Sequence, residues 1–157
     1  MVLVRATTTT DWQALREIRL QALLDAPDAF GSTHAREAAF GEDEWRRRAS
    51  RDGSFIAFLP EVGPAGLGGG YLAEPEVVEL VSMFVRPQAR GCGVGEAVVD
   101  AIAEWARQQG ASTVHLWVTE TNNARLLYER CGFTATAERQ PLPSNPALGE
   151  LGMQRPV

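Results

Sequence analysis

The sequence predicts a mixed α/β (α+β) sandwich built on one central sheet. Three observations carry that expectation. From residue 77 onward, apolar strand-like runs alternate with helix-like stretches, whereas residues 54 to 74 hold two strand-like runs joined as a hairpin. The size fits as well: 157 residues with 45% hydrophobic and 22% charged side chains suit one soluble domain spanning 1–157.

The elements follow in chain order. "VLVRA" (2–6) alternates apolar and polar residues as a first strand. "TDWQ" has the form of a capping box, with Thr10 as N-cap and Gln13 reaching back. The helix after it places Trp12, Leu15, Ile18 and Ala22 on one face, and Pro27 and Gly31 in "DAPDAFG" stop it. Residues 33 to 51 are charged and helix-prone, anchored by Phe40 and Trp45. "SFIAFL" (54–59) and "GGYLAE" (69–74) pair around "EVGPAG", and the glycine cluster "GLGGG" (66–70), with no helix after it, suits a hairpin or bulge. "VVELVSMFV" (77–85) is nearly continuous in apolar residues, as for a strand buried on both faces. A helix follows with Val94, Ala97, Val98, Ala101, Ile102 and Trp105 at helical spacing, closed by Gly110. "TVHLWV" (113–118) is a strand, "TNNARLLYERC" a helix, "GFTATAER" a strand, "QPLPSNP" a proline-rich loop and "LGELGMQ" the last strand. No internal repeat, linker or second domain is visible.

Composition narrows the function classes. A net charge of −5 disfavours a general affinity for nucleic acid or anionic membrane. No apolar run approaches the roughly 20 residues that cross a bilayer. "MVLVRATTTTDW" lacks the features of a signal peptide, and two cysteines, Cys92 and Cys131, are too few for a disulfide scaffold. A reducing, cytoplasmic setting is expected. His34 and His115 are too far apart in sequence to suggest a metal site.

One stretch points to a ligand. "RGCGVGEAVV" (90–99) places Gly91, Gly93 and Gly95 between a strand and a helix. The first N–H groups of a helix have no partner within it, and the helix dipole adds roughly half a positive charge there. Glycines let those groups approach phosphate oxygens, and Arg90 adds a planar cation. Neither a P-loop nor a dinucleotide fingerprint fits. The chain has no lysine, and position 96 is Glu where the fingerprint needs its third glycine.

"MFVRPQARGCGVGEAVV" resembles the acetyl-CoA motif of the GNAT N-acetyltransferase superfamily, whose core Arg/Gln-x-x-Gly-x-Gly/Ala is met by Arg90, Gly93 and Gly95, preceded by Val85 and Pro87. "TNNARLLYERCGF" is similar to a second element of that family, with Ala124, Leu127, Tyr128, Gly132 and Phe133 in register. The family asparagine falls at Thr121 here; Asn122 and Asn123 follow it, and Asn122 is chosen because it can cap the helix and face the cleft.

The resemblance implies a mixed sheet of about 6–7 strands flanked by about 4 helices, split between the parallel strands 77–85 and 113–118. It implies acetyl-CoA as cofactor, held by Met83, Val85, Arg90, Gly91, Cys92, Gly93, Val94, Gly95, Glu96, Asn122 and Tyr128. The reaction implied is direct acetyl transfer to a primary amine of a small molecule or peptide, with an N–H near Val85 as oxyanion donor. Tyr128 is the expected general acid. Glu79, amid "VVELV", is the expected base and also borders the acceptor; Glu74 and Glu76 are rivals. Phe30 and Leu142 would form an apolar wall for the acceptor, with Asp25 and Asp28 suiting a cationic amine. Cys131 and His115 are expected in the core. The alternative is a non-catalytic acyl-CoA sensing module of the same fold. Homodimers are common in similar proteins.

Overall fold

The computed structural model describes residues 1–157. Strand β1 (Leu3–Ala6) leads into helix α1 (Trp12–Asp25) and two short helices, α2 (His34–Ala38) and α3 (Glu42–Ala49). A meander of β2 (Ser54–Leu59), β3 (Gly63–Glu74) and β4 (Val77–Val85) follows. After it come α4 (Val94–Gln108), β5 (Thr113–Thr119), α5 (Ala124–Arg130) and a hairpin of β6 (Thr134–Leu142) and β7 (Asn145–Pro156). The strands form one seven-stranded sheet in the order β1-β2-β3-β4-β5-β7-β6. Every pairing is antiparallel except β4 with β5, which α4 joins as a crossover.

That parallel pair sets up the site. β4 and β5 are in register only from Val77↔Thr113 to Glu79↔His115. Beyond Glu79 they part, while β4 stays paired to β3 as far as Val85 and β5 to β7 as far as Thr119. The sheet therefore opens in its middle, as the split between strands 77–85 and 113–118 requires.

Two cores hold the layers. On one face Val78, Leu80, Val114 and Leu116 pack with Val94, Val98 and Ile102 of α4. Each such side chain contributes roughly 1.5–3 kcal/mol on burial. On the other face Leu15, Ile18 and Ala22 of α1 meet Ile56, Leu67 and Phe84. Gly110 takes a left-handed φ of +80° just past α4, as its sequence position predicts. No helix is long and apolar enough to cross a membrane.

Several boundaries differ from the sequence expectation. The capping box sits at Thr8 and Asp11, not Thr10 and Gln13: the Thr8 N–H donates to the Asp11 carboxylate at 2.7 Å. Arg5 grips the same carboxylate through bonds of 2.7 and 2.8 Å and holds its pKa down at about 2, which fixes the earlier register. β3 absorbs the glycine cluster and starts at Gly63, with a slip in register between Leu67 and Gly69. β4 is not buried on both faces along its length, since Val81 is exposed. The "QPL" of the predicted loop belongs to β6, and β7 begins at Asn145. β6 is an edge strand, where proline is tolerated because no neighbour needs its N–H.

Candidate functional site

The open end of the β4–β5 pair leads into the glycine loop. Gly91 and Gly93 have φ of +77° and +82°, a region that side-chain-bearing residues enter at a cost. A Cβ on either would meet no atom within 4 Å, so backbone conformation rather than crowding selects glycine. Gly93 caps α4. The main-chain N–H groups of residues 91 to 96 have no main-chain acceptor; the next, on Ala97, bonds the Gly93 carbonyl at 3.1 Å. A run of unpaired donors at the start of a 15-residue helix is a preformed anion site.

These donors border a cleft of about 590 Å³ lined by the end of β4, the glycine loop, α5 and the segment after α1. Of the cofactor residues expected from sequence, Met83, Val85, Arg90, Gly91, Gly93, Val94, Gly95, Glu96, Asn122 and Tyr128 line it. Cys92 does not; its side chain is exposed, and only its N–H belongs to the unpaired run. Gly95 has a different use from the one expected. It is buried, and a Cβ there would lie 2.9 Å from Leu127 Cδ2, so its bareness lets α5 approach α4. The Arg90 Nε donates to the Val85 carbonyl at 3.2 Å, which holds the guanidinium at the end of β4. Glu96, placed favourably in the first turn of α4, pairs with Arg130 at 3.2 Å.

α5 supplies the opposite wall. Asn122 Oδ1 accepts from the Ala124 N–H at 2.8 Å and the residue lines the cleft, but the N-cap of α5 is Asn123, whose side chain makes no cap bond. Asn123 lines it too, and Thr121 does not. Tyr128 is 7% exposed and packs edge-on against Phe133 with ring centroids 5.9 Å apart. Burial pushes its phenol pKa up, so the hydroxyl keeps its proton at neutral pH.

Glu79 lies outside the cleft's lining, at the last paired position where the strands part. Its rivals Glu74 and Glu76 are exposed at the β3–β4 turn. His115 is not a core residue. Val114 and Leu116 take the core face of β5, and His115 stands on the other, with Nδ1 2.7 Å from Glu79 Oε2 and Nε2 2.8 Å from Glu138 Oε1. The bond to Glu79 raises the His115 pKa, and the bond to His115 lowers that of Glu138. Gly152 leaves room for this array: a Cβ there would lie 2.6 Å from Glu138 Oε1 and 2.9 Å from His115 Nε2. Sequence reading missed Glu138 and the role of His115, because only the register of β4, β5 and β6 brings the three together.

The stretches around Phe30 and Leu142, the residues expected to wall the acceptor, do meet. Ser144 Oγ donates to the Phe30 carbonyl at 2.6 Å, and Thr119 Oγ1 donates to the Asp28 carbonyl. Asp25 and Phe30 line the cleft. Leu142 does not: it is fully buried within β6, so no acceptor wall is built from it. Cys131 is half-buried, packed against the larger core.

Comparison with known proteins gives a consistent picture. A family model described as the acetyltransferase (GNAT) family matches residues 12–133. A mycothiol acetyltransferase of Salinispora arenicola is 32% identical over 134 residues, which are 79% of this chain and 41% of that protein. The chain thus spans under half the length of that relative. A GCN5-related N-acetyltransferase from Kribbella flavida superposes with a TM-score of 0.79 over 99% of this chain and 98% of its own, at 22% identity. The yncA protein of Salmonella typhimurium, solved with its cofactor acetyl-CoA, superposes at 0.78 over 99% of this chain and 94% of its own, at 20% identity.

Proposed function

The chain belongs to the acetyltransferase (GNAT) family, and on that premise we propose that it moves the acetyl group of acetyl-CoA to a primary amine by direct attack in a ternary complex. The observation that carries the reading is the run of unanswered N–H donors from Gly91 to Glu96, at a helix start beside an open cleft. Those donors suit the diphosphate of a coenzyme A group, with Arg90 as a further cation. Acetyl-CoA supplies the activated thioester.

The chain's own residues do the rest. The parted β4 and β5 align the reactants, which alone can be worth several kcal/mol. An N–H near Val85 stabilises the oxyanion as it develops. Glu79 takes the proton of the attacking amine through a water, since it stands outside the cleft's lining, and His115 fixes the carboxylate's orientation. Tyr128, on the wall of the cleft, gives its proton to the departing thiolate. The acceptor amine belongs to a small molecule or a peptide.

Release of free thiol from acetyl-CoA with a panel of amines tests the reading, because a non-catalytic acyl-CoA sensor binds without turnover. Tyr128→Phe is expected to lower kcat about a hundredfold and leave acetyl-CoA affinity within about twofold. A wild-type rate in that variant would remove Tyr128 as the acid.

A further inference from the structure

On the sheet face covered by α1 and α3, a second cavity of about 330 Å³ opens beside β3. Three guanidiniums line it, those of Arg19, Arg48 and Arg51, in a chain whose net charge is −5. Its one acidic lining residue, Asp52, is engaged by the Trp105 indole N–H at 3.1 Å. Arg19 and Arg48 share the buried Glu37 through bonds of 2.9 to 3.0 Å, and Arg48 also bonds Glu44. Arg51 is exposed and has no carboxylate partner, and partial desolvation and the nearby Arg47 and Arg48 push its pKa down against the opposing Glu44. An anion beside Arg51 would relieve that repulsion.

Two further donors on residues of this lining are unanswered: Arg19 Nη1, and Nε1 of Trp45, a residue only 1% exposed. A buried donor without an acceptor destabilises the empty fold, and an anion within reach would answer it. Gly69 presents no side chain on the sheet surface here, which leaves the floor bare.

The position of this cavity relates it to the cleft. Val81 and Ser82 line it, and the residues that follow, Met83, Phe84 and Val85, line the cleft. Ser82 has a φ of +62°, and the β3–β4 register slips there, so a bulge in β4 is the shared wall. Asp25 lines the cleft beyond that wall.

We propose that this second cavity binds the anionic group, carboxylate or phosphate, of the amine acceptor, so that the acceptor class is an amine that also carries an acidic group. The proposal rests on the acetyltransferase reading. The test is calorimetric titration of the full chain, saturated with coenzyme A, with β-alanine, its uncharged amide and aminoethylphosphonate. The same three compounds are then assayed for acetyl-CoA turnover. At least one acidic compound is expected to bind ten or more times more tightly than the amide, and the preferred acid names carboxylate or phosphate. Arg51→Ala is expected to abolish that preference, and Arg51→Gln serves should the alanine variant fold poorly. Equal or undetectable binding of the three compounds, or a preference that survives loss of Arg51, overturns the proposal. A preference that Arg51 controls, without turnover of the compound bound, overturns the assignment of this cavity to the acceptor, whereas the acetyltransferase reading itself falls only if the wider amine panel releases no thiol.

Discussion

The two ends of the β4–β5 pair handle their polar groups in opposite ways. At the open end, the N–H groups of residues 91 to 96 have nothing in the chain to accept them, and all of these residues but Cys92 line the cleft. At the closed end, Glu79, His115 and Glu138 answer one another within 2.7 to 2.8 Å. The glycines follow the same division. Gly93 has open space where a Cβ would stand, whereas at Gly152 that space belongs to Glu138 and His115. Unanswered donors are a cost that a ligand recovers, whereas an array already bonded to itself lowers the energy of the empty fold. Binding should therefore be sensitive at one end and stability at the other.

That division can be broken by substitution. The largest effect is expected at the open end: Gly93→Val should weaken coenzyme A binding more than tenfold, equivalent to over ~1.4 kcal/mol. The branched side chain would enter the space beside the donors, and its left-handed backbone would add about 1–2 kcal/mol of folding strain. Calorimetry on the folded variant checks this, and unchanged affinity would count against the donor run as the cofactor site. At the closed end, Gly152→Ala should displace the flexible end of Glu138 from His115, at a stability cost of about 1 kcal/mol. Coenzyme A affinity should not change, and a loss of tenfold there would erase the division. Denaturant midpoints and binding titrations on the same sample separate the two outcomes.

The smallest effect concerns pH. The His115 pKa is raised in the folded state, so its bonds stabilise the fold fully below the ordinary value of 6.5 and lose that contribution as pH rises through the raised value. His115→Gln should flatten this fall in the denaturant midpoint as pH rises above about 6.5. A slope equal to that of the wild type would mean that another group carries it.

How legible the molecule was in its sequence depended on how far each signal reached. The glycine loop was readable because its strand, glycines and helix lie within some twenty residues, and left-handed glycines with helix-start donors need no distant partner. The seven strands were readable for the same reason, from local patterning. Thr10 failed as a cap because Arg5, on the preceding strand, decides which carboxylate closes the turn. Leu142 failed because prolines on both sides suggested a loop, yet an edge strand accepts them and buries the leucine between. Gly95 had the right spacing for a ligand loop, but Leu127 on a later helix claims its bare surface. Glu138 gave no signal, because its partners lie across two strand boundaries.

The parting of β4 and β5 also has a bearing on self-association. Outer strand borders are where foreign chains attach, and proteins guard them with charge, proline or brevity. This fold carries a further pair of such borders inside its sheet, from Leu80 to Val85 and from Leu116 to Thr119, where proline and charge are both absent. The β5 border is also met from the turn after α1, where the Asp28 carbonyl accepts from Thr119 Oγ1. A molecule carrying its own amides could pair with either border as a substitute strand.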